Sequence, residues 1–562
     1  MGEAAQCQEF PAIVRLFSHR LRRNGGLMMT AETVQVVVIG GGATGTGILR
    51  DLALRGISAI LVEQGDLAHG TSSRFHGLLH SGARYAVKDK EAARECLEEN
   101  MILRRIAPNC VENIGGLFVQ LPEDDPAYAE QWLVACAEAG IKTEEMDLQE
   151  LRRNTPILNA QVTRAFKVPD CAVDGFRVLW SNVNSARRHG ARLLTYHRVI
   201  GIRQSNGQVI GVELVNELTG EKKYIACDMI INAAGAWAGE VAALAGLEIN
   251  VIKDKGTLVA YNHRLTKQIV NRLRPPGDGD IFVPHGTITI FGTTSVTVND
   301  AACTKPGDSE VAELIKTGQD MIPELENYRL IRAFAGVRPL YQEGNSAGGR
   351  DVTRNFALLD HQEKDGLQGF ISIVGGKFTT FRLMAEKTVD LAAKRLGVTA
   401  ACRTAEEPLA APVDPALLER GKRVFGVPGA KKAADRLGDS FAKVVEEAER
   451  NPDQRKIFCE CEVVSLAEIA HVAQDGDSFT LGDIRRKTRM GMGTCQGTFC
   501  SYRTLGALSG YPQFAGNHKD YLTKFLQKRW KGIRPVMWGQ QLREAQLSSA
   551  IYCSLFGLER MK

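Results

Sequence analysis

An α/β fold is predicted, with a doubly wound sheet interleaved with an antiparallel second sheet and followed by a small, mainly helical C-terminal domain. Three observations carry it. From Val34 to Leu67 a hydrophobic strand, the turn Gly40-Gly41-Gly42-Ala43-Thr44-Gly45, a helix and a second strand follow one another, with Glu63 directly after the second strand. Far later, Val374-Gly375-Gly376-Lys377-Phe378-Thr379-Thr380-Phe381 repeats the order of strand, glycine turn and helix start, after a strand-rich stretch over residues 251–300. Beyond a Pro- and Ala-rich linker at residues 406–416, helical patterns and a group of four cysteines follow.

The chain has 562 residues, more than one hydrophobic core usually supports, so two or three domains are expected. Lys plus Arg is 70 against 65 for Asp plus Glu, a net charge of +5 that gives no argument for nucleic acid. The 13 cysteines lack the spacing of a secreted disulfide framework, and a reducing compartment suits them better. No run of 18 apolar residues is present to span a bilayer. Residues 1–33 are mildly basic and partly apolar without a secretory pattern, and read as a loosely attached arm or, alternatively, a membrane-surface element.

In the Val34–Leu67 unit each glycine has a separate task. Gly40 permits the tight turn, Gly42 lets a pyrophosphate approach the backbone, and Gly45 allows the helix to pack on the sheet. The helix N-terminus faces the phosphates, and Glu63 accepts hydrogen bonds from a ribose. FAD is favoured over NAD because Thr71-Ser72-Ser73-Arg74 adds hydroxyl and backbone donors just after Glu63, and because Gly375-Gly376-Lys377-Phe378-Thr379 offers a second backbone nest for the far end of a long nucleotide. Residues 68–86 form a polar, turn-rich loop where a doubly wound fold places its binding surface.

Along the rest of the chain, Lys88–Ile106 and Tyr128–Ala139 have helical period, Leu117–Leu121 reads as a strand, and Val209–Ile231 reads as a hairpin turning at Asn216, Thr219 and Gly220. The strand Met229–Ala233 runs into Gly235 at a strand-to-helix junction, a further contact for the dinucleotide. Alternation in the 251–300 stretch predicts an antiparallel sheet, Ser309–Met321 a helix, Phe370–Val374 a closing strand and Thr380–Leu396 a helix. The nucleotide-binding segments are expected at about 34–115, 175–250 and 340–400, and a substrate domain at about 116–174 and 251–339. A linker and helical region at 401–450, a cysteine domain at 451–510 and a basic tail at 511–562 complete the division.

One residue separates Cys459 from Cys461, and four separate Cys495 from Cys500 after an insert of helical period. Two close pairs of thiols suit tetrahedral zinc or an iron-sulfur cluster. A flavin in the same chain favours a 2Fe-2S cluster as the one-electron outlet. The run Arg485, Arg486, Lys487, Arg489 stands near the second pair, suited to offset four thiolates. The tail carries Lys519, Lys524, Lys528, Arg529, Lys531 and Arg534 with interleaved aromatics, a docking surface for a partner or, alternatively, an internally packed element.

Residues 34 to about 400 resemble FAD-dependent glycerol-3-phosphate dehydrogenases, members of the glycine-oxidase-like flavoprotein fold. The spacing C-x-C, x33, C-x4-C resembles the bacterioferritin-associated-ferredoxin type of 2Fe-2S domain. Together with the tail from Arg529 to Gly539, they are similar to the catalytic chain of the anaerobic, multi-subunit branch. The resemblance implies oxidation of sn-glycerol 3-phosphate to dihydroxyacetone phosphate. It also implies electron flow from FAD through iron-sulfur centres to a membrane quinone by way of two partner subunits, one a second flavoprotein and the other a membrane-anchoring iron-sulfur protein, with a cytoplasmic location peripheral to the membrane.

Arg338 in GVRPL and Arg354 in DVTRN match the family's anion binders, Arg84 and Tyr85 in SGARY complete the pocket, and Lys377 in VGGKFTTFR matches its lysine near the flavin. His80, in the glycine-rich loop beside that pocket, is the candidate base, or else orients the flavin. The aerobic branch has a histidine where this chain has Leu258 and a lysine where it has Gly77, differences that speak against carrying over the aerobic active site and agree with the anaerobic branch. Two other readings are a flavin oxidoreductase of a 2-hydroxy acid or amino acid, and a non-catalytic electron carrier or redox sensor. Two arginines suit a phosphate better than a carboxylate.

Overall fold

A computed structural model describes residues 32–341, 355–516 and 518–558. The N-terminal extension up to residue 31, and Arg354, lie outside the described residues.

Strand β1 (Glu32–Ile39) leads through the glycine turn into helix α1 (Ala43–Leu54) and strand β2 (Ala59–Val62). β1 lies between β2 and the strand Lys222–Asn232, parallel to both. Arg192–Leu194 extends the parallel core on one side and Phe370–Gly375 on the other. This arrangement follows from the sequence: β2 is Ala-Ile-Leu-Val, buried at every position, as a strand covered on both faces must be. α1 packs against the helices Gly175–Arg188 and Phe381–Leu396, and Val36, Val38, Ile48, Leu52, Val183, Ile231 and Val389 share one core beneath them. The predicted hairpin forms as Gln208–Asn216 and Lys222–Asn232, paired antiparallel.

The second sheet has nine strands, drawn from Gly116–Val168 and from Val251–Tyr341. It is antiparallel except where Ile269–Arg272 runs parallel to Gly116–Gln120. Its long pair, Val251–Tyr261 with Leu330–Tyr341, sets Asp254 opposite Arg338 and Gly256 opposite Gly336. Helix Asp308–Met321 covers one face, with Val311, Leu314 and Met321 buried against Phe282 and Phe291.

The C-terminal extension is mostly helical, from Pro415–Leu437 to Gly539–Ser549. Three of the four cations near the cysteines are engaged with carboxylates, which corrects their expected role beside the thiols: Arg486 pairs with Asp66 and Asp483, Lys487 with Asp475, and Arg489 with Glu462 and Asp174. The Asp66 and Asp174 pairs fasten the extension to the first sheet and its helices, and Lys487 also lies over the Trp180 ring at 4.0 Å. The tail helix His518–Ile533 spends its apolar face internally. Leu522, Phe525 and Leu526 are buried, and Gly532 sits so close to the strand Leu330–Tyr341 that a Cβ would lie 2.6 Å from the Ala333 carbonyl. No helix among the described residues is long and apolar enough to cross a membrane.

Asp174 is the most consequential of these fasteners. It caps the helix Gly175–Arg188 and accepts from Arg489 at 2.8 Å. Burial raises its carboxyl, but the Arg489 and Arg177 charges outweigh burial and hold it at about 2, below the ordinary 3.8. A folded-state value below the unfolded one contributes stability above about pH 4 that is lost as pH falls toward 2, on the order of 2 kcal/mol. Asp174→Asn is therefore expected to cost about 3 kcal/mol near neutrality, because Arg489 loses a buried partner. Thermal melts of both proteins from pH 7 to pH 3 measure this. The gap between them narrows in acid; a gap independent of pH would refute the ion-pair account.

Candidate functional site

The glycine turn after β1 is built by contacts no larger residue tolerates. A Cβ on Gly45 would lie 1.9 Å from the Gly40 carbonyl oxygen, so the first turn of α1 closes directly over the end of β1. Gly40 itself has φ +114° and abuts the Ala233 carbonyl, which ties the turn to the end of the strand Lys222–Asn232. Glu63 braces the turn from β2: Oε2 accepts from the Gly41 amide at 2.7 Å and Oε1 from the Gly65 amide at 2.8 Å. Burial pushes the Glu63 carboxyl up, and those two amides pull it back down. Ser72 Oγ accepts from the Ala43 amide at 3.0 Å, pinning the following loop to the N-terminus of α1. The donors of a phosphate cradle are thus fixed by the protein's own bonds.

A cavity of about 1660 Å³, counted with its open mouth, runs from this turn. Gly40, Gly42, Glu63, Thr71, Ser72, Gly235, Gly375, Gly376, Lys377, Phe378 and Thr379 line it, and so do His80, Tyr85 and Arg338. The two glycine-rich turns, far apart in sequence, are brought to one cavity because β1 and Phe370–Gly375 both flank the strand Lys222–Asn232. Gly45 and Ser73 stand behind the lining. The Ser73 hydroxyl donates to the Gly70 carbonyl at 3.2 Å.

At the polar end, the His80 amide donates to Thr379 Oγ1 at 3.1 Å, and its Nε2 lies 3.5 Å from the Tyr85 hydroxyl. Lys377 Nζ stands 5.1 Å from the centre of the Tyr85 ring, within cation–π range. Arg338 is clamped from behind: Nη1 donates to Asp254 Oδ2 at 2.5 Å, and Nη2 to Thr293 Oγ1 and to the Thr294 carbonyl at 3.2 Å. Gly256 leaves the guanidinium its room, since a Cβ there would lie 2.3 Å from Nη2. Arg338, paired with Asp254, and Lys377 thus line the same cavity as His80 and Tyr85.

A family model described as FAD dependent oxidoreductase matches residues 35–382. The chain belongs to the FAD-dependent oxidoreductase family. It is 42% identical over 535 residues to one subunit of the anaerobic glycerol-3-phosphate dehydrogenase of Escherichia coli K12, covering 94% of this chain and 98% of the relative. It is 44% identical over 537 residues to the corresponding subunit of the anaerobic glycerol-3-phosphate dehydrogenase of Haloferax volcanii, covering 93% and 90%. Its fold is similar to that of the glycerol-3-phosphate dehydrogenase from Bacillus halodurans solved with FAD, with a TM-score of 0.68 at 21% identity, over 91% of this chain and 97% of that one.

Within this family member, one expected pocket residue is elsewhere. Arg84 does not line the cavity; it pairs with the fully buried Asp280 at 2.8 Å and donates to the Gly277 carbonyl. An arginine committed to a buried carboxylate holds the second sheet's loop in place instead of binding substrate. Leu258 is buried within that sheet, on the strand Val251–Tyr261. The space above Gly77 is taken by His285, whose Nε2 would lie 2.1 Å from a Cβ there and donates to the His76 carbonyl at 2.8 Å.

Sequence reading missed His76, which lines the cavity with its ring 5.6 Å from that of His80, and Asp254, which orients Arg338. The spacing of His76 and His80 in one polar loop was a usable signal; Asp254 had none, since only strand register places it.

The four C-terminal cysteines also meet. Cys459 and Cys500 are buried and Cys461 and Cys495 half-buried, close enough to one another to perturb each other's ionisation. Among the described residues no three or more His, Cys, Asp or Glu side chains are disposed to hold a metal ion.

Proposed function

We propose that this chain oxidises sn-glycerol 3-phosphate to dihydroxyacetone phosphate with FAD as the immediate acceptor. The observation that carries it is the union, in one cavity, of the glycine and Glu63 cradle with Arg338, Lys377, His80 and Tyr85, in a chain alike over nearly its whole length to a component of the anaerobic dehydrogenase.

The residues present fit FAD. The helix N-terminus at Gly42, its turn held by the Gly41–Glu63 and Ala43–Ser72 bonds, receives the pyrophosphate, and Glu63 keeps acceptor capacity for a ribose. Gly235 and the Gly375–Thr379 turn hold the remainder. Bound FAD supplies the two-electron acceptor for the hydrogen leaving C2. Arg338 and Arg354 bind the substrate phosphate, and Lys377 places positive charge where negative charge develops. His80 takes the C2 hydroxyl proton as the C–H bond breaks, and the carbonyl forms from the electrons of the O–H bond. Tyr85 and the Thr379 hydroxyl hold His80 in place from opposite sides.

The four cysteines are assigned to a 2Fe-2S cluster. The C-x-C, x33, C-x4-C spacing of Cys459, Cys461, Cys495 and Cys500 supports that assignment. A cluster held by Cys459, Cys461, Cys495 and Cys500 would supply a one-electron outlet toward partner subunits and a quinone. That the relatives are named as subunits supports an assembly.

Anaerobic absorption spectra of the purified chain test both assignments. Glycerol 3-phosphate bleaches the flavin bands and lactate or glycine does not; the reverse would reject the substrate. In Cys495→Ser, substrate still reduces the flavin, while transfer to an external one-electron acceptor drops at least tenfold. An unchanged rate would dismiss the cysteines as a relay.

A further inference from the structure

The turn that follows β2 carries Glu63, Gln64, His69 and Gly70 along the cavity wall. Its backbone is tied to the first sheet on two sides. The Ala68 amide donates to the Gly41 carbonyl at 3.0 Å, which joins this turn to the glycine turn after β1. From the other side the Tyr196 amide donates to the Gly65 carbonyl and the His197 amide to the Glu63 carbonyl, each at 2.8 Å.

A third hold comes from the far end of the chain. Asp66, 1% exposed, accepts from the Leu67 amide with Oδ1 at 2.8 Å and from Arg486 Nε with Oδ2. Arg486 stands on the helix Leu481–Thr488 of the C-terminal extension. Its Nη2 donates to Asp483 Oδ1 at 2.6 Å, and the same oxygen accepts from the Tyr196 hydroxyl at 2.6 Å. Asp483 Oδ2 accepts from the Phe479 and Thr480 amides, both at 2.8 Å, so Asp483 is fixed at the start of its own helix. Tyr196 spans the gap with φ +57°, uncommon for a bulky residue. The bonds therefore close a ring that leaves the turn at Asp66, passes through Arg486 and Asp483, and returns at Gly65 by way of Tyr196.

A βαβ nucleotide unit needs no such hold from outside. Here two buried carboxylates, one on the cofactor turn and one on the extension, are joined by a single guanidinium. Removing it sets two buried negative charges close together, and the turn relieves their repulsion by carrying Asp66 toward water. Glu63, three positions earlier in the same turn, moves with it.

We propose that Arg486 is a positioning residue for FAD: with Asp483 and Tyr196 it holds the Glu63–Gly70 turn in its cofactor-binding form, so that FAD occupancy and docking of the C-terminal extension favour each other. This rests on the reading of the cavity as an FAD site. The coupling is reciprocal by linkage, since whatever the docked extension adds to FAD affinity, bound FAD returns to docking.

The test uses the full chain stripped of flavin, with FAD affinity read from the quenching of flavin fluorescence. Arg486→Gln binds FAD roughly tenfold more weakly. Tyr196→Phe, which removes one hydroxyl and no charge, loses less in the same direction. Arg486→Gln and Asp66→Asn break the same bond, so the double variant loses less than the sum of the two single losses. Hydrogen–deuterium exchange of the wild-type chain reads the reverse direction and needs no variant: adding FAD slows exchange in the helix Leu481–Thr488, which lies outside the cavity. Wild-type affinity in Arg486→Gln, additive losses in the double variant, or exchange in that helix unmoved by FAD would overturn the coupling and leave the FAD site standing. A wild-type chain that binds no FAD overturns the reading of the cavity, and this proposal with it.

Discussion

Replacing Arg338 by alanine lowers kcat/KM for glycerol 3-phosphate by roughly three orders of magnitude, about 4 kcal/mol of transition-state binding. The size follows from the clamp behind the side chain. Asp254, Thr293 and Thr294 fix the guanidinium before substrate arrives, so its ordering adds little to the cost of binding. The same substitution strands Asp254, which is 2% exposed and retains only the Ser295 hydroxyl at 2.7 Å. Stability therefore falls too.

The two effects separate in a double-mutant cycle. Adding Asp254→Asn to Arg338→Ala restores melting temperature without restoring activity, because the uncompensated charge is gone and the phosphate ligand is still missing. Arg338→Lys keeps a charge but not the fork, and recovers part of the loss. Steady-state kinetics within twofold of wild type for Arg338→Ala would remove it from the substrate site.

Gly45→Ala is expected to yield chain with little or no flavin, binding FAD on the order of 100-fold more weakly, about 2.7 kcal/mol. The added methyl meets the Gly40 carbonyl oxygen at 1.9 Å, and neither backbone group has anywhere to go. Relief comes from moving the start of α1 off the end of β1, which carries the phosphate-facing amides away from their positions. The loss is therefore larger than the roughly 1 kcal/mol scale of an ordinary glycine substitution. Flavin-to-protein ratio after purification measures it. A variant that keeps one flavin per chain would show that the close approach of helix and strand is not what shapes the cradle.

Local signals in the sequence were read well where a short segment sets its own structure. The turn from Gly40 to Gly45 and the acid after β2 are neighbours in space because a βαβ unit brings them together whatever surrounds it. The hairpin at Asn216–Gly220, the helix Asp308–Met321 and the closing strand Phe370–Gly375 follow from periodicity and turn residues in the same way. Charged side chains were read less well. Arg84, the run from Arg485 to Arg489 and the basic tail each have a composition compatible with a ligand, a cluster or a partner. Arg84 is paired with Asp280, Arg486 with Asp66 and Arg489 with Asp174 and Glu462, while Arg529 of the tail is hydrogen-bonded to Gln496. An arginine's reach of several rotatable bonds makes its partner a matter of tertiary geometry.

By itself, then, the sequence determined the α/β character of the chain, the nucleotide turn with its acid, and the family, because those rest on patterns within a few tens of residues. The tertiary structure alone decided which cations face the cavity. Arg338 does so because strand register sets it against Asp254 and Gly256 leaves it space, while Arg84, in the loop just after His80, is drawn to a buried carboxylate. The physical reason is that a strand's partner, and so the neighbours of every side chain on it, is chosen by packing over the whole sheet.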